Sequence, residues 1–456
     1  MDVERLGIEE ITAAVGGSIY YRSDFKDHNE VCIDTRKLQQ GDIYIAIKGE
    51  NFNGNKFVEE ASQKGASICI VEEIAFDVKN LKESTIILVA DTKKALRELA
   101  KFYRSRLRLK VIGVTGSTGK TTTKDLIAAA LSSRYKVFKT KGNFNNEIGL
   151  PLMIFKLDNS FDVAVLEMGM SNFGEIHNLA DIARPDIAVI TNIGISHIEN
   201  LGSRENILKA KLEITDFFGK SNTLIVNGED DLLGSLEDER YILVKAGFGE
   251  EFYLHSKNIS LYEDGIEYNV VKGNEASGIR VRIDIPGKHN VLNSLLAYGC
   301  GNILGLRNEE ICSGFKNLEA TSMRLDIINC GKFKIINDCY NASPDSMKAA
   351  LEVQTHMEAK RRIAVLGTMR ELGHESYNAH KEVAEFAREK GIDLLIVLGE
   401  YGNAYKEGFQ RDKDFMHMDS AEGAAELLKG IIKEGDLVLF KASRAMKFES
   451  IIEMIK

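Results

Sequence analysis

Proline and cysteine are scarce in this chain and basic charge is in deficit, and each shortage removes a class of protein. Four prolines in 456 residues, against 39 glycines, leave no low-complexity linker or repeat, so domain boundaries must be sought in changes of pattern. The six cysteines (Cys32, Cys69, Cys300, Cys312, Cys330, Cys339) are scattered with no C-x-x-C pair. They fit reduced thiols in a cytosol better than a disulfide framework or a zinc site. A net charge of −9 argues against a general nucleic-acid surface. No eighteen consecutive residues are apolar, so membrane insertion is not expected. Met1-Asp2-Val3-Glu4-Arg5 lacks the pattern that opens a secretory signal, and the expected location is cytoplasmic. What remains, 44% apolar and 28% charged, is the composition of an ordinary globular protein too long for one core.

The most informative stretch is VIGVTGSTGKTTTK at 111–124. Val111, Ile112 and Val114 make a buried strand, and Gly116 and Gly119 let the backbone curl so that several N–H groups face one anion. Ser117 and Thr118 complete the turn. Lys120 adds a point charge, and Thr121 or Thr122 offers a hydroxyl to Mg²⁺ at the positive end of the following helix. Val114 stands where the usual pattern has its first glycine, so this is a shortened nucleotide loop. The expected ligand is a nucleoside triphosphate.

Three segments differ in pattern. In the first, short strands at 31–33, 43–47 and 67–71 and helices at 57–64 and 93–107 suggest a small α/β module, the last helix carrying a solvated basic face. From 110 onward, apolar strands at 111–114, 163–166, 187–190 and 224–226 alternate with helical stretches. That alternation predicts a mostly parallel sheet with ligands at the strands' carboxyl ends. The interval 253–285 adds antiparallel strands, and a helix follows Gly287-Lys288-His289-Asn290. The third segment repeats the alternation with strands at 333–336, 363–366, 394–398 and 437–440 and helices at 346–356, 380–390 and 421–432. It has no phosphate loop of its own, which assigns it substrate contacts and a closing surface. The expected fold class is α/β with three domains, at 1–106, 107–319 and 320–456.

Three further residues carry chemistry. Glu167 ends an apolar strand; beside a phosphate loop it is placed to hold Mg²⁺ directly or through water, the plainer reading being a solvated strand-end charge. His197 follows another strand end at the same sheet edge, which favours a metal or phosphate role over a satisfied structural histidine. Lys211 lies on a helix that Ser203 can cap. It shares a face with Ile207 and Ile214 at spacings i, i+4 and i+7. Either its stem snorkels to solvent, or it faces the nucleotide site with a lowered pKa.

Together these residues resemble the Mur ligase family of peptidoglycan synthesis, nearest to its dipeptide-adding MurF-type branch. The resemblance runs through eight segments in family order: DTRKLQQGDIYIAIKGENFNG, GVTGSTGKTTTK, KGNFNNEIGLP, LEMGMSNFGEI, TNIGISHIENLGSRENILKAKLEI, GKHNVLNSLLA, MRLDIINCGKFKIINDCYNASPDSMKAAL and VLGTMRELG. It implies a domain gripping a UDP-sugar, a P-loop ATPase-like domain, and a mobile Rossmann-like domain that completes the site. It implies that Lys120 holds the β- and γ-phosphates of ATP while Thr121 and Glu167 ligate one Mg²⁺ and His197 a second. Lys211 matches the family lysine that CO₂ carbamylates into a carboxylate-like ligand. Asn290, Arg324 and Asp338 match nucleotide contacts, Thr35 and Arg36 match the part that meets the UDP moiety, and Asn341 lies near the incoming dipeptide. Where the family usually shows an aspartate pair before Tyr-Asn-Ala-Asn-Pro, this chain reads Asn337-Asp338-Cys339-Tyr340-Asn341-Ala342-Ser343-Pro344; Thr368 replaces an aspartate, and Ala442 replaces a glycine.

The implied reaction is ATP-dependent addition of D-alanyl-D-alanine to UDP-N-acetylmuramoyl-tripeptide through an acyl phosphate, by a monomer. One rival is a paralogous ligase of the same fold joining a different carboxylate and amine. Another is an ATP-driven switch, which needs neither the first hundred residues nor the Lys211 helix.

Overall fold

A computed structural model describes residues 6–23, 30–273, 275 and 278–456. The N-terminal pentapeptide on which the absence of a signal was read lies outside the described residues. Among the described residues the strands form three sheets, of five, nine and six members, in a mixed α/β protein. Among the described residues no helix is long and apolar enough to cross a membrane.

The chain forms two compact units. The first comprises residues up to 113 together with 135–169 and 175–186. Its five-stranded sheet runs in the order Ser18–Tyr21, Thr85–Leu88, Ile68–Val71, Ile43–Ile45, Val31–Cys32, parallel except for the first pair. Tyr44, Val58, Cys69 and Ile86 are buried at its core, as the apolar runs at 43–47 and 67–71 require. The helix Thr92–Ser105 starts where the Asp91 side chain accepts the Lys94 N–H at 2.9 Å. Its basic residues form the solvated face expected from sequence only in its first turn, where Lys93 and Lys94 are exposed. Arg97 donates to Asn178, Lys101 pairs with Asp181, and buried Arg104 donates to the carbonyls of Ala183 and Leu107. Their amphipathic spacing is the same whether the polar stripe meets water or a second polar helix, so periodicity could not separate the two.

The second unit comprises 114–134, 170–174 and 187–456. Ile187–Ile190, Thr223–Asn227, Ile242–Gly247 and Leu254–Tyr262 are parallel neighbours, and Gly265–Lys272 and Ile279–Ile283 extend them antiparallel. The six-stranded sheet has the order Asp326–Asn329, Lys334–Asn337, Asp436–Lys441, Arg361–Leu366, Leu394–Leu398, Phe415–Met418, parallel except for the first pair. Leu394–Leu398 reads LLIVL and is buried throughout, as a strand covered on both faces must be.

Beside this sheet lies a buried histidine with fixed tautomer. His380 Nδ1 donates to the Ser376 carbonyl at 2.6 Å, Nε2 accepts the Met369 N–H at 2.9 Å, and the ring stacks on Tyr401. Burial pushes its pKa down to about 4. The unfolded chain therefore binds a proton below about pH 6.5 that the folded chain refuses until about pH 4, so stability falls as pH drops through that window. The expected loss is about 2–3 kcal/mol. Urea titrations of wild type and His380→Gln at pH 7 and pH 4.5 check it: the stability lost on acidification should be smaller in the variant by that amount.

Candidate active site

The phosphate-loop geometry begins where the strand Lys110–Thr115 ends. Gly116 has φ +147°, and a Cβ there would lie 1.8 Å from Thr191 Oγ1, so only glycine fits. Gly119, at φ +77°, precedes the helix Lys120–Leu131, whose first turn has no side-chain cap. Uncapped N–H groups at a positive helix end suit an anion.

The segment that precedes His197 holds the loop through Thr191, Asn192 and Gly194, residues to which sequence reasoning assigned no role. Ser117 N–H donates to the Asn192 carbonyl at 3.0 Å, Thr118 N–H to Asn192 Oδ1 at 2.8 Å, and Gly194 N–H to Ser117 Oγ at 2.9 Å. Thr191 Oγ1 donates to the Thr118 carbonyl. The available signal was TNIG, directly after an apolar strand. Lys120 Nζ donates to the carbonyls of Gly116 and Ser117 at 2.7 and 3.3 Å.

A cavity of about 270 Å³ opens beside the loop, lined among others by Thr118, Gly119, Thr122, Asn290, Arg324 and Asp338. Six of the residues expected to contact nucleotide thus share one wall. Arg324 Nη2 donates to Thr121 Oγ1 at 3.0 Å, and its guanidinium covers the Tyr340 ring at 4.3 Å. Its Nε is buried with no hydrogen-bond partner among the described residues. Asn290 is committed within the protein: Nδ2 donates to the Pro286 carbonyl at 2.7 Å and Oδ1 accepts from Asn293 at 2.9 Å. Asp338 accepts the Leu325 N–H and pairs with Lys441. Lys441 and Asn293 line the same cavity and were not anticipated.

His197 sits at φ +65°, and its Nδ1 lies 2.5 Å from Glu371 Oε2. Glu371 is itself at φ +66°, an uncommon conformation for a glutamate, and it was also missed in the sequence. The adjacent His197 imidazole, and more weakly the Lys120 charge, hold its carboxyl below the usual range against the opposing effect of burial.

Lys211 does not snorkel. It is 2% exposed, with Ile207 and Ile214 fully buried on its face, on a helix that Ser203 caps by accepting the Asn206 N–H. Burial first, and the nearby Lys120 charge second, drive its pKa well below the ordinary lysine value. Burial and the Lys120 charge thus both favour the uncharged form of this amine over its ordinary balance.

In the first unit, Glu167 is 3% exposed rather than solvated: Asn145 Nδ2 donates to its Oε1 at 2.9 Å, and its own N–H donates to Thr140 Oγ1 at 3.0 Å. Thr35 is nearly buried, with its carbonyl accepting from Lys64 at 2.9 Å. Arg36 reaches into solvent and grips Asp34 through two bonds of 2.8 Å, holding that carboxyl down at about 2. Asn341 is exposed, and its carbonyl accepts from Lys441 at 2.9 Å.

Among the described residues no three His, Cys, Asp or Glu side chains cluster as a metal cage. Within the second unit, the Thr121 hydroxyl and the His197 imidazole are donors of a kind that can complete the shell of an Mg²⁺ held largely by substrate phosphates. The residues that depart from the family pattern lie inside. Cys339 donates Sγ–H to the Phe440 carbonyl, Thr368 donates its N–H to Met446 Sδ, Ala442 is fully buried, and Ser343 stands at the N-cap of the helix Pro344–His356.

Family models match three consecutive stretches: the Mur ligase family catalytic domain at 28–104, the Mur ligase middle domain at 114–301, and the Mur ligase glutamate ligase domain at 323–444. A Bacillus subtilis UDP-N-acetylmuramoyl-tripeptide–D-alanyl-D-alanine ligase is 42% identical over 93% of this chain and 92% of its own. The Escherichia coli protein of the same name is 31% identical over 93% of each chain. Among solved structures, MurF from Acinetobacter baumannii superposes with a TM-score of 0.90 at 28% identity, covering 98% of both chains. MurF ligase from Thermotoga maritima in complex with ADP gives 0.82 at 30% identity, over 94% of this chain and 97% of that one.

Proposed function

The chain belongs to the Mur ligase family, and from that premise we propose that it joins D-alanyl-D-alanine to UDP-N-acetylmuramoyl-tripeptide, hydrolysing ATP to ADP and phosphate. The observation that carries the reading is the Arg324 guanidinium resting on Thr121 of the phosphate loop, which brings a cation of the third segment onto the triphosphate site. The three matched stretches support domains at 1–106, 107–319 and 320–456. No membrane-spanning helix among the described residues fits a cytoplasmic enzyme, which we take to act as a monomer.

The tripeptide carboxylate attacks the γ-phosphorus of ATP; the bond to the bridging oxygen breaks and ADP leaves, giving an acyl phosphate. The dipeptide amine then attacks the acyl carbon, its proton is lost, and inorganic phosphate departs as the amide forms. Loop N–H groups and Lys120 cradle the β- and γ-phosphates, and Arg324 adds positive charge where the transferred group becomes electron-rich. Asn290 and Asp338 line the nucleoside end, Thr35 and Arg36 receive the UDP moiety, and Asn341 stands near the dipeptide. Thr121 and Glu167 would hold one Mg²⁺, and His197 with Lys211 a second. Bound there, the ions would neutralise repulsion between the phosphates and the attacking carboxylate. Uptake of CO₂ by the neutral Lys211 amine, with loss of a proton, turns that side chain into the oxygen ligand the second ion needs.

Product mass spectrometry tests this reading. ATP, UDP-N-acetylmuramoyl-tripeptide and D-alanyl-D-alanine together should give the pentapeptide and equimolar ADP, with little ADP when either acceptor or amine is omitted. Turnover with other amines only would make the enzyme a paralogous ligase, and strong ATP turnover with neither partner would make it a switch.

A further inference from the structure

We propose that Lys441 is the positioning residue that sets the Asn341 loop for the incoming amine, with Asp338 as its anchor; this rests on the dipeptide-ligase reading above. Lys441 closes the strand Asp436–Lys441, which has a strand on either side in its sheet, and it is 2% exposed. An ammonium has three N–H donors. One goes to Asp338 Oδ2 and one to the Asn341 carbonyl at 2.9 Å. The backbone around it is fixed, because Asp338 N–H donates to the Phe440 carbonyl and Gly367 N–H to the Lys441 carbonyl, both at 3.0 Å. Asp338 is fixed from its other oxygen by the Leu325 N–H, next to Arg324. Lys441 and Asp338 both line the nucleotide cavity.

One ammonium therefore touches a carboxylate on the nucleotide side and a main-chain carbonyl on the amine side. Two residues after that carbonyl, Ser343 stands at the N-cap of the helix Pro344–His356 and its N–H donates to Ser346 Oγ at 2.9 Å, so the path of the intervening loop is set at both ends. Stability alone does not call for this arrangement, because an apolar pair of similar volume holds a core as well as a buried ion pair does. What an apolar pair cannot do is grip a carbonyl and so dictate where the loop runs. Nothing in the loop's own sequence, Asn341-Ala342-Ser343, supplies that grip.

The test uses Lys441→Met and the double variant Asp338→Asn/Lys441→Met, assayed with ATP saturating. The single variant strands a buried carboxylate and can lose stability for that reason alone; the double variant removes both charges at nearly constant volume. In the double variant the urea midpoint should return to near the wild-type value. The KM for D-alanyl-D-alanine should stay raised by about tenfold or more, while the KM for the UDP-tripeptide changes by less than about threefold. Amide exchange at 339–343 should quicken by about tenfold, with none at 394–398. A double variant with wild-type stability, wild-type dipeptide KM and unchanged exchange at 339–343 overturns the proposal. If wild type itself leaves the dipeptide unused while exchange at 339–343 still quickens, the substrate reading falls and the loop's dependence on Lys441 stands.

Discussion

Lys211→Ala should lower turnover by about a thousandfold, the scale seen when a preorganised charge partner is removed from a reacting centre. The expectation follows from burial. A lysine 2% exposed, flanked by two fully buried isoleucines and depressed in pKa by desolvation and by Lys120, contributes neither a surface charge nor an ordinary ion pair. On the function proposed above, its use in such a place is as an amine that CO₂ would convert into an oxygen ligand. Alanine leaves a space that acetate or propionate can enter, so short carboxylic acids should restore part of the activity. Lys211→Met, filling the same space, should be equally inactive and should not respond to the acids. Full activity in either variant would remove Lys211 from the reaction.

Gly116→Ala should destabilise the protein by about 3 kcal/mol, adding backbone strain to overpacking, and should abolish measurable ADP binding. Two separable costs contribute. At φ +147° any L side chain is strained, and the new methyl would meet Thr191 Oγ1 at 1.8 Å. Thr191 cannot simply turn away, since its hydroxyl donates to the Thr118 carbonyl and helps hold the loop. Thr191→Ala on top of Gly116→Ala should recover the steric part and leave the strain, and urea unfolding of the four proteins in the cycle measures both. Unchanged stability and intact ADP titration in Gly116→Ala would show that the loop tolerates a different curl.

The parts of the site that could be read from the chain are those whose signal is local. Glycines at 116 and 119 after an apolar strand announced the loop, and the i, i+4, i+7 spacing of Ile207, Lys211 and Ile214 placed the lysine on an apolar face. The strands 187–190 and 394–398 coincide with the observed ones because fully buried strands are continuous apolar runs. Pairings between distant segments left no such trace. Glu371 meets His197, Lys441 meets Asp338, and Asn192 brackets the phosphate loop, yet each partner taken alone is an ordinary polar residue near a strand end. Short edge strands such as Ser18–Tyr21 and Asp326–Asn329 were overlooked for a related reason: four half-exposed residues carry too little periodicity to separate from a turn. The basic face of the helix Thr92–Ser105 was only half legible: Lys93 and Lys94 are exposed as expected, but a pattern reports which side is polar and not that Arg97, Lys101 and Arg104 meet other protein groups.

Ala442, where the family more often has glycine, lies against Gly367, at which an added Cβ would fall 2.6 Å from the Ala442 methyl. The two turns at 366–369 and 440–446 are therefore matched in size. Grafting the 440–446 turn from a relative with the commoner glycine would remove the Ala442 methyl and leave a small hole against Gly367, at a cost in packing.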